Sequence, residues 1–209
     1  DVNSEYSIGQ SVIRIEDLLN KSQEYQMPAL GIADDGNLFA AFKFYKIAIE
    51  IGIKPIIGAT VSVFSGTSER ISKLTLLCKN TTGYKNLSSL ITRSYLEGYR
   101  KGKALLDIEW LDSLNSSGLI AISGGYNGFI QNLLLSKKSD AAAKQLESLK
   151  DIFADDLFLQ IQKLGGNRDV ELLEKTIEIG SLAGLPLLAA NNPRFLNHDD
   201  YLSLDARVC

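Results

Sequence analysis

The feature that most constrains this chain is an alternation. Short segments that are apolar at every position break into polar turns, and each is followed by a stretch whose apolar residues fall at helical spacing. A strand with one wet face is apolar at every second place, whereas a strand apolar throughout is covered on both faces, as in a mostly parallel sheet under helices. The strand candidates are Ala29-Leu30-Gly31-Ile32-Ala33, Lys54 to Val63, Leu74 to Leu77, Leu119 to Ile122, Leu157 to Ile161 and Leu185 to Ala190. Ile15, Leu18, Leu19 and Tyr25 set out a first helix that Met27-Pro28 ends. Leu38, Ala41, Phe42, Tyr45 and Ile49 set out a second, closed by Gly52. Further helices are predicted over Gly83 to Tyr99, Ser139 to Phe153 and Asp169 to Ala183. This many strand-helix units predicts an α/β barrel, closed or nearly so, with a doubly wound open sheet as the alternative. Either topology gathers the polar residues at the strand carboxyl ends on one face, here Asp34, Asp35, Thr60, Asn192 and Arg194.

A chain of 209 residues, 45% hydrophobic, is long enough for one such domain, and 1–209 is read as one. Its 22 basic and 25 acidic residues leave a net charge of −3 without a long Lys/Arg block, so direct contact with DNA is not expected. A local group of Arg100, Lys101 and Lys103 beside Tyr99 is read as a solvated loop. Cys78 and Cys209 form no Cys-x-x-Cys pair, which signals neither a zinc knuckle nor a disulfide framework and suits a reducing, cytoplasmic setting. No apolar run is long enough for a bilayer, so no membrane association is expected, and the opening Asp1-Val2-Asn3-Ser4 lacks the regions of a signal peptide. A start without Met and an end on Arg207-Val208-Cys209 are read as a fragment of a longer protein.

The single histidine, His198, bounds the chemistry, because one imidazole builds neither a histidine-rich metal cluster nor, without a Gly-x-Ser-x-Gly elbow, a serine triad. His198 itself sits in a polar run expected to be a surface loop or helix cap. Asp34-Asp35-Gly36-Asn37 is the strongest local candidate, either a hard-cation or acid/base site or, more simply, a turn with a helix N-cap. Asp1, Asn3 and Glu5 read as a solvated, partly frayed terminus. Ser123-Gly124-Gly125-Tyr126-Asn127-Gly128 is a weak phosphate-loop candidate without the Gly-Lys-Ser/Thr of a P-loop. Cys78 reads as a core thiol and Trp110 as a packing anchor.

Taken in order, Glu5-Tyr6-Ser7, Met27-Pro28-Ala29-Leu30, Asp34-Asp35-Gly36-Asn37-Leu38, Phe44-Tyr45-Lys46 and Gly52-Ile53-Lys54-Pro55-Ile56-Ile57-Gly58 resemble one family. The resemblance continues through Asn80, Gly83-Tyr84, Asn86-Leu87, Ile122-Ser123-Gly124-Gly125, Phe158-Leu159-Gln160-Ile161-Gln162 and Ala190-Asn191-Asn192-Pro193-Arg194-Phe195. The family is polymerase and histidinol phosphatase (PHP), in the form found at the N-terminus of bacterial DNA polymerase III alpha subunits. The resemblance implies a distorted TIM-like (β/α)7 barrel. In metal-binding members, it implies histidines and carboxylates at the strand ends that hold divalent ions and activate water against phosphate esters.

Against that pattern the sequence departs at most ligand positions. Asp1 and Asn3 stand where the family has His-x-His, Asp34 is kept, Asp35 replaces a histidine and Thr60 an acidic residue. Lys73 and Leu164 each replace a histidine, and Asn192-Pro193-Arg194 replaces Asp-x-His. The resemblance therefore implies a degenerate, non-catalytic domain without a cofactor of its own. It further implies a larger parent chain, a magnesium-dependent DNA-directed DNA polymerase and nucleotidyltransferase in DNA replication. The rest of the alpha chain and a proofreading exonuclease subunit are the implied partners. Lys73 and Arg194 are expected to pair with Asp34 and Asp35 where ligands were lost. The alternative is a residual magnesium or manganese phosphoesterase built on Asp34 and Asp35, with Asp1 and Asp205 completing an oxygen shell.

Overall fold

The computed structural model describes residues 2–64, 71–100, 102–123, 125–163, 165 and 169–208, with the backbone alone at Tyr126 and Val208. In chain order the elements are α1 (Ile15–Glu24), β1 (Ala29–Asp35), α2 (Ala41–Glu50), β2 (Lys54–Phe64), β3 (Ser72–Cys78), α3 (Thr81–Leu96), β4 (Tyr99–Arg100), β5 (Lys103–Ala104), β6 (Leu106–Asp107), β7 (Leu119–Ile122), α4 (Phe129–Leu135), α5 (Ser139–Phe153), β8 (Leu157–Ile161), α6 (Asp169–Ala183), β9 (Leu187–Ala189) and α7 (Tyr201–Val208). The chain divides into two compact units, Asp1–Ala59 with Asn192–Cys209, and Thr60–Asn191.

In the first unit, α1 buries Ile15, Leu18 and Leu19 and carries Glu16 and Asp17 in its first turn, where carboxylates complement the helix dipole. Its core joins these residues to Ile13, Leu30, Ile32, Ala40, Phe44, Ala48 and Ile53. Of the face that the spacing of the second helix suggested, Ala41 is buried but Phe42, Tyr45 and Ile49 are exposed. Phe44 and Ala48 point inward with Ala41. Both faces of this helix are apolar, so periodicity alone did not say which one the core would take. The helix also begins later than expected, with Ala40 at its N-cap and no side-chain cap. Asn37 instead accepts from the Phe39 amide at 3.1 Å and shapes the turn before the helix. Beyond the last strand, where a surface loop or helix cap was expected, a 3-10 turn over His198–Asp200 leads into α7. Asn197 and Asp200 cap that turn reciprocally, which places His198 at a helix start as read.

In the second unit the hydrogen-bonded strand order runs from the end of β2 through β3, β7 and β8 to β9, and β6 pairs with β2. The pairings β2 with β6, β7 with β8 and β8 with β9 are parallel, as the apolar runs suggested. Strand β3 departs from this by running antiparallel to β7, with Leu76 opposite Ala121. An apolar run gives burial but not direction. Strand β9 also departs, because Leu187 and Leu188 are each 37% exposed on the last strand of the order, where a covered strand was expected.

The start of α3 explains several motif residues. Asn80 is its N-cap and accepts from the Gly83 amide at 3.0 Å. A Cβ on Gly83 would lie 1.9 Å from the Gly118 carbonyl oxygen, so only glycine lets the helix approach there. Asn86 donates to the Ser117 carbonyl at 2.9 Å and holds the same loop. The helix ends at Leu96, short of the expected Tyr99, because residues from Tyr99 onward turn back as the β4–β5 hairpin. The short helix α4 was not foreseen.

Candidate functional site

In the first unit, β1 runs two residues further than its apolar run and delivers Asp34 and Asp35 at its carboxyl end. Asp34 is 2% exposed. Its Oδ1 accepts from the Ser4 amide at 2.7 Å and the Ser7 hydroxyl at 2.6 Å, and its Oδ2 accepts from the Ser4 hydroxyl at 2.7 Å. These are short, charge-assisted bonds, and they occupy three of the about four acceptor positions of a carboxylate. The Asp35 amide donates to the Ser7 hydroxyl at 3.0 Å, and Gln10 donates to the Asp35 carboxylate. Ser11 extends the cluster by donating to the Asn3 carbonyl at 2.7 Å.

The N-terminal run is therefore not the frayed terminus expected of it. Asn3, Ser4, Ser7 and Ser11 are buried, and Val2 bridges to Ile32 of β1. The serines at 4, 7 and 11 are the site residues that the composition of this run concealed. Their only sequence signal is three hydroxyls at steps of three and four in a segment too polar to form core.

Arg194 enters this unit through its backbone, whose carbonyl accepts from the Val12 amide at 3.0 Å and the Ser11 hydroxyl at 3.2 Å. Its side chain is exposed and pairs with no carboxylate among the described residues, so the expected ion pair with Asp34 or Asp35 is not formed by Arg194. Asp34 is met by serine donors instead of a cation. Asn192 is exposed. Asp1 and Leu164 lie outside the described residues.

In the second unit, Thr60 of β2 shares a hydroxyl-hydroxyl hydrogen bond of 3.0 Å with Thr75 of β3. Lys73 donates to Ser62 at 3.0 Å. Hydroxyl partners and an amine thus stand on neighbouring strands. Among the described residues, no group of three or more His, Cys, Asp or Glu side chains is gathered closely enough to hold a metal ion.

The glycine-rich loop after β7 engages its polar groups internally. Ser123 is 1% exposed, its hydroxyl accepts from the Gln131 amide and the Gln160 backbone at 2.9 Å each, and its amide donates to Phe158. Gly124 lies outside the described residues. Cys78 ends β3 half-buried, and burial pushes its thiol up to about 11. The Arg93 guanidinium lies over the Trp110 ring at 4.2 Å, which gives Trp110 its packing role.

A strand end that presents carboxylates, followed by a Gly-Ile-Lys-Pro-Ile-Ile-Gly strand and parallel strands alternating with helices, defines the class. The chain matches the PHP domain over residues 1–163 and belongs to that family. Its likeness to DNA polymerase III alpha subunits runs further along the sequence. It is 32% identical to that of Pseudomonas aeruginosa over 209 residues, spanning all of this chain and 18% of the relative. To that of Borreliella burgdorferi it is 35% identical over 217 residues, spanning all of this chain and 19% of the relative. To that of Buchnera aphidicola from Acyrthosiphon pisum it is 34% identical over 202 residues, 96% of this chain and 17% of the relative. The chain thus spans less than a fifth of the length of these relatives.

Among solved structures, a proposed metal-dependent phosphoesterase from Bifidobacterium adolescentis superposes with a TM-score of 0.61 at 10% identity, covering 100% of this chain and 96% of that one. An amidohydrolase from Chromobacterium violaceum gives 0.58 at 11% identity, covering 99% and 95%. At such identities the likeness speaks for the fold alone, and it bears out the distorted TIM-like α/β type expected from the sequence.

Proposed function

We propose that this chain is a degenerate PHP domain of a DNA polymerase III alpha subunit, a fragment of the larger polymerase with a structural and docking role and no hydrolytic chemistry of its own. The observation that carries the reading is Asp34. It is the retained carboxylate of the family's ligand pattern, and serine donors fill most of its acceptor positions. A divalent cluster needs neutral imidazoles and free carboxylate oxygens, whereas Asn3, Thr60, Lys73, Asn192 and Arg194 offer amides, a hydroxyl and two cations. These residues do not fit the metal group that the family implies. The same serine bonds weigh against a residual phosphoesterase on Asp34 and Asp35, since a hard cation would have to displace them.

In this reading the nucleotidyltransferase chemistry of DNA replication, with its magnesium, belongs to the rest of the alpha chain. The proofreading exonuclease subunit is the partner that docks, and the setting is the cytoplasm. No described helix is long and apolar enough to cross a membrane. The test is co-purification: the intact polymerase chain is expected to retain the exonuclease subunit, and a version lacking 1–209 to lose it while keeping primer extension. Retention of the exonuclease by the shortened chain contradicts the docking role.

A further inference from the structure

The β4–β5 hairpin carries chemistry that the docking reading does not use. Between Arg93 and Ala104 the sequence holds Arg93, Arg100, Lys101 and Lys103 against the one acid Glu97, a local excess of positive charge in a chain of net charge −3. Tyr95, at the end of α3, and Tyr99, at the start of the hairpin, are 49% and 57% exposed. Their rings lie nearly parallel, 22° apart with centroids at 6.5 Å. Arg100 and Lys103 face each other as a cross-strand pair, both exposed. Among the described residues neither joins an ion pair.

Like charges directly opposite on a two-stranded ribbon repel, and the Arg100 guanidinium, which lies over the Phe64 ring 5.4 Å from its centroid, keeps its charge unneutralised there. An anion at the hairpin relieves the repulsion. The hairpin is held firmly enough to present a surface. A Cβ on Gly98 would lie 1.9 Å from the Leu105 carbonyl oxygen, and the Leu105 amide donates to the Gly98 carbonyl at 3.1 Å, which clamps the ribbon to the end of α3.

We infer that the Tyr95/Tyr99 pair with Arg100 and Lys103 is a contact for single-stranded nucleic acid. Exposed ring faces stack with any base, and neighbouring cations meet the phosphates. The expectation of no DNA contact rested on net charge and the lack of a long Lys/Arg block, and this basic group was read as a solvated loop because the sequence does not show the cross-strand pairing or the ring stack. A duplex keeps its bases stacked on one another and offers the rings nothing, so the single strand is the better ligand. The inference stands on the hairpin alone and does not depend on the docking reading.

The test is fluorescence anisotropy of a labelled oligothymidylate of about sixteen nucleotides with the intact chain at about 50 mM and about 200 mM salt. Binding is expected at the lower salt and to weaken at the higher. Tyr95→Ala with Tyr99→Ala is expected to weaken it at least about fivefold, while Tyr95→Phe with Tyr99→Phe keeps it because the rings remain. Arg100→Ala with Lys103→Ala should flatten the salt dependence by about 1.4 in log-log slope. All four side chains are exposed, and circular dichroism of each variant confirms the fold. Absence of binding at about 100 µM protein, or binding indifferent to the tyrosine pair, overturns the inference. So does equal competition by polyglutamate, which would make the patch a surface for acidic protein.

Discussion

The Asp34 cluster and the β4–β5 hairpin treat charge in opposite ways. Asp34 is buried and its acceptors are filled from within by Ser4 and Ser7. On the hairpin, Arg100 and Lys103 stand opposite one another in solvent, beside two exposed rings. The comparison teaches where a polar residue's work lies. A charge whose partners are all inside the fold stabilises the fold, whereas Arg100, which lies over the Phe64 ring, and the facing Lys103 meet no carboxylate among the described residues and keep charge for a partner from outside.

If that contrast is right, the largest effect on stability comes from Asp34→Ala. It leaves the Ser4 amide and two buried hydroxyls without their acceptor, a loss of about 3–5 kcal/mol, or about 6–20 °C in the melting temperature of a chain this long. A melting temperature within about 2 °C of the parent breaks the structural account of Asp34. Gly83→Ala comes next, because the Gly118 carbonyl oxygen occupies the place of the new methyl group. Thermal unfolding should register about 1–3 kcal/mol. Ser7→Ala removes one donor to the carboxylate and one acceptor for the Asp35 amide, for about 1.5–2 kcal/mol in a denaturant titration. The hairpin changes sharpen the comparison from the other side, since Tyr95→Ala with Tyr99→Ala should move stability by less than about 1 kcal/mol while removing the nucleic-acid contact.

The smallest effect concerns Cys78. Its thiol is raised from 9.0 to about 11 by burial, so the folded state holds its proton after the unfolded state has released it. Stability is therefore unaffected by this group below about pH 9 and falls as the pH rises through about 11. Cys78→Ser should flatten that alkaline slope, and the native thiol should react slowly with a disulfide reagent at neutral pH.

Much of this arrangement was legible in the residues. Strands β7 and β8 match their apolar runs because burial on both faces leaves no polar position to confuse the reading. Asp34 was singled out as a strand-end carboxylate. Its serine partners were not, because they lie 27 and 30 residues away and only tertiary structure makes them neighbours. The outward face of α2 was misread because Phe42, Tyr45 and Ile49 repeat as regularly as the inward Ala41, Phe44 and Ala48. The reversed direction of β3 against β7 leaves no trace in composition. The hairpin was visible as a basic group, and what the sequence could not supply was the pairing that sets Arg100 against Lys103.

The central claim is that the Asp34 carboxylate holds the N-terminal segment onto β1 and does not ligate a metal. Calorimetric titration of manganese into the intact chain at neutral pH tests it most directly. The account predicts that Asp34→Asn leaves the manganese-binding heat of the chain unchanged up to about millimolar metal. Saturable binding in that range that disappears in Asp34→Asn would contradict it.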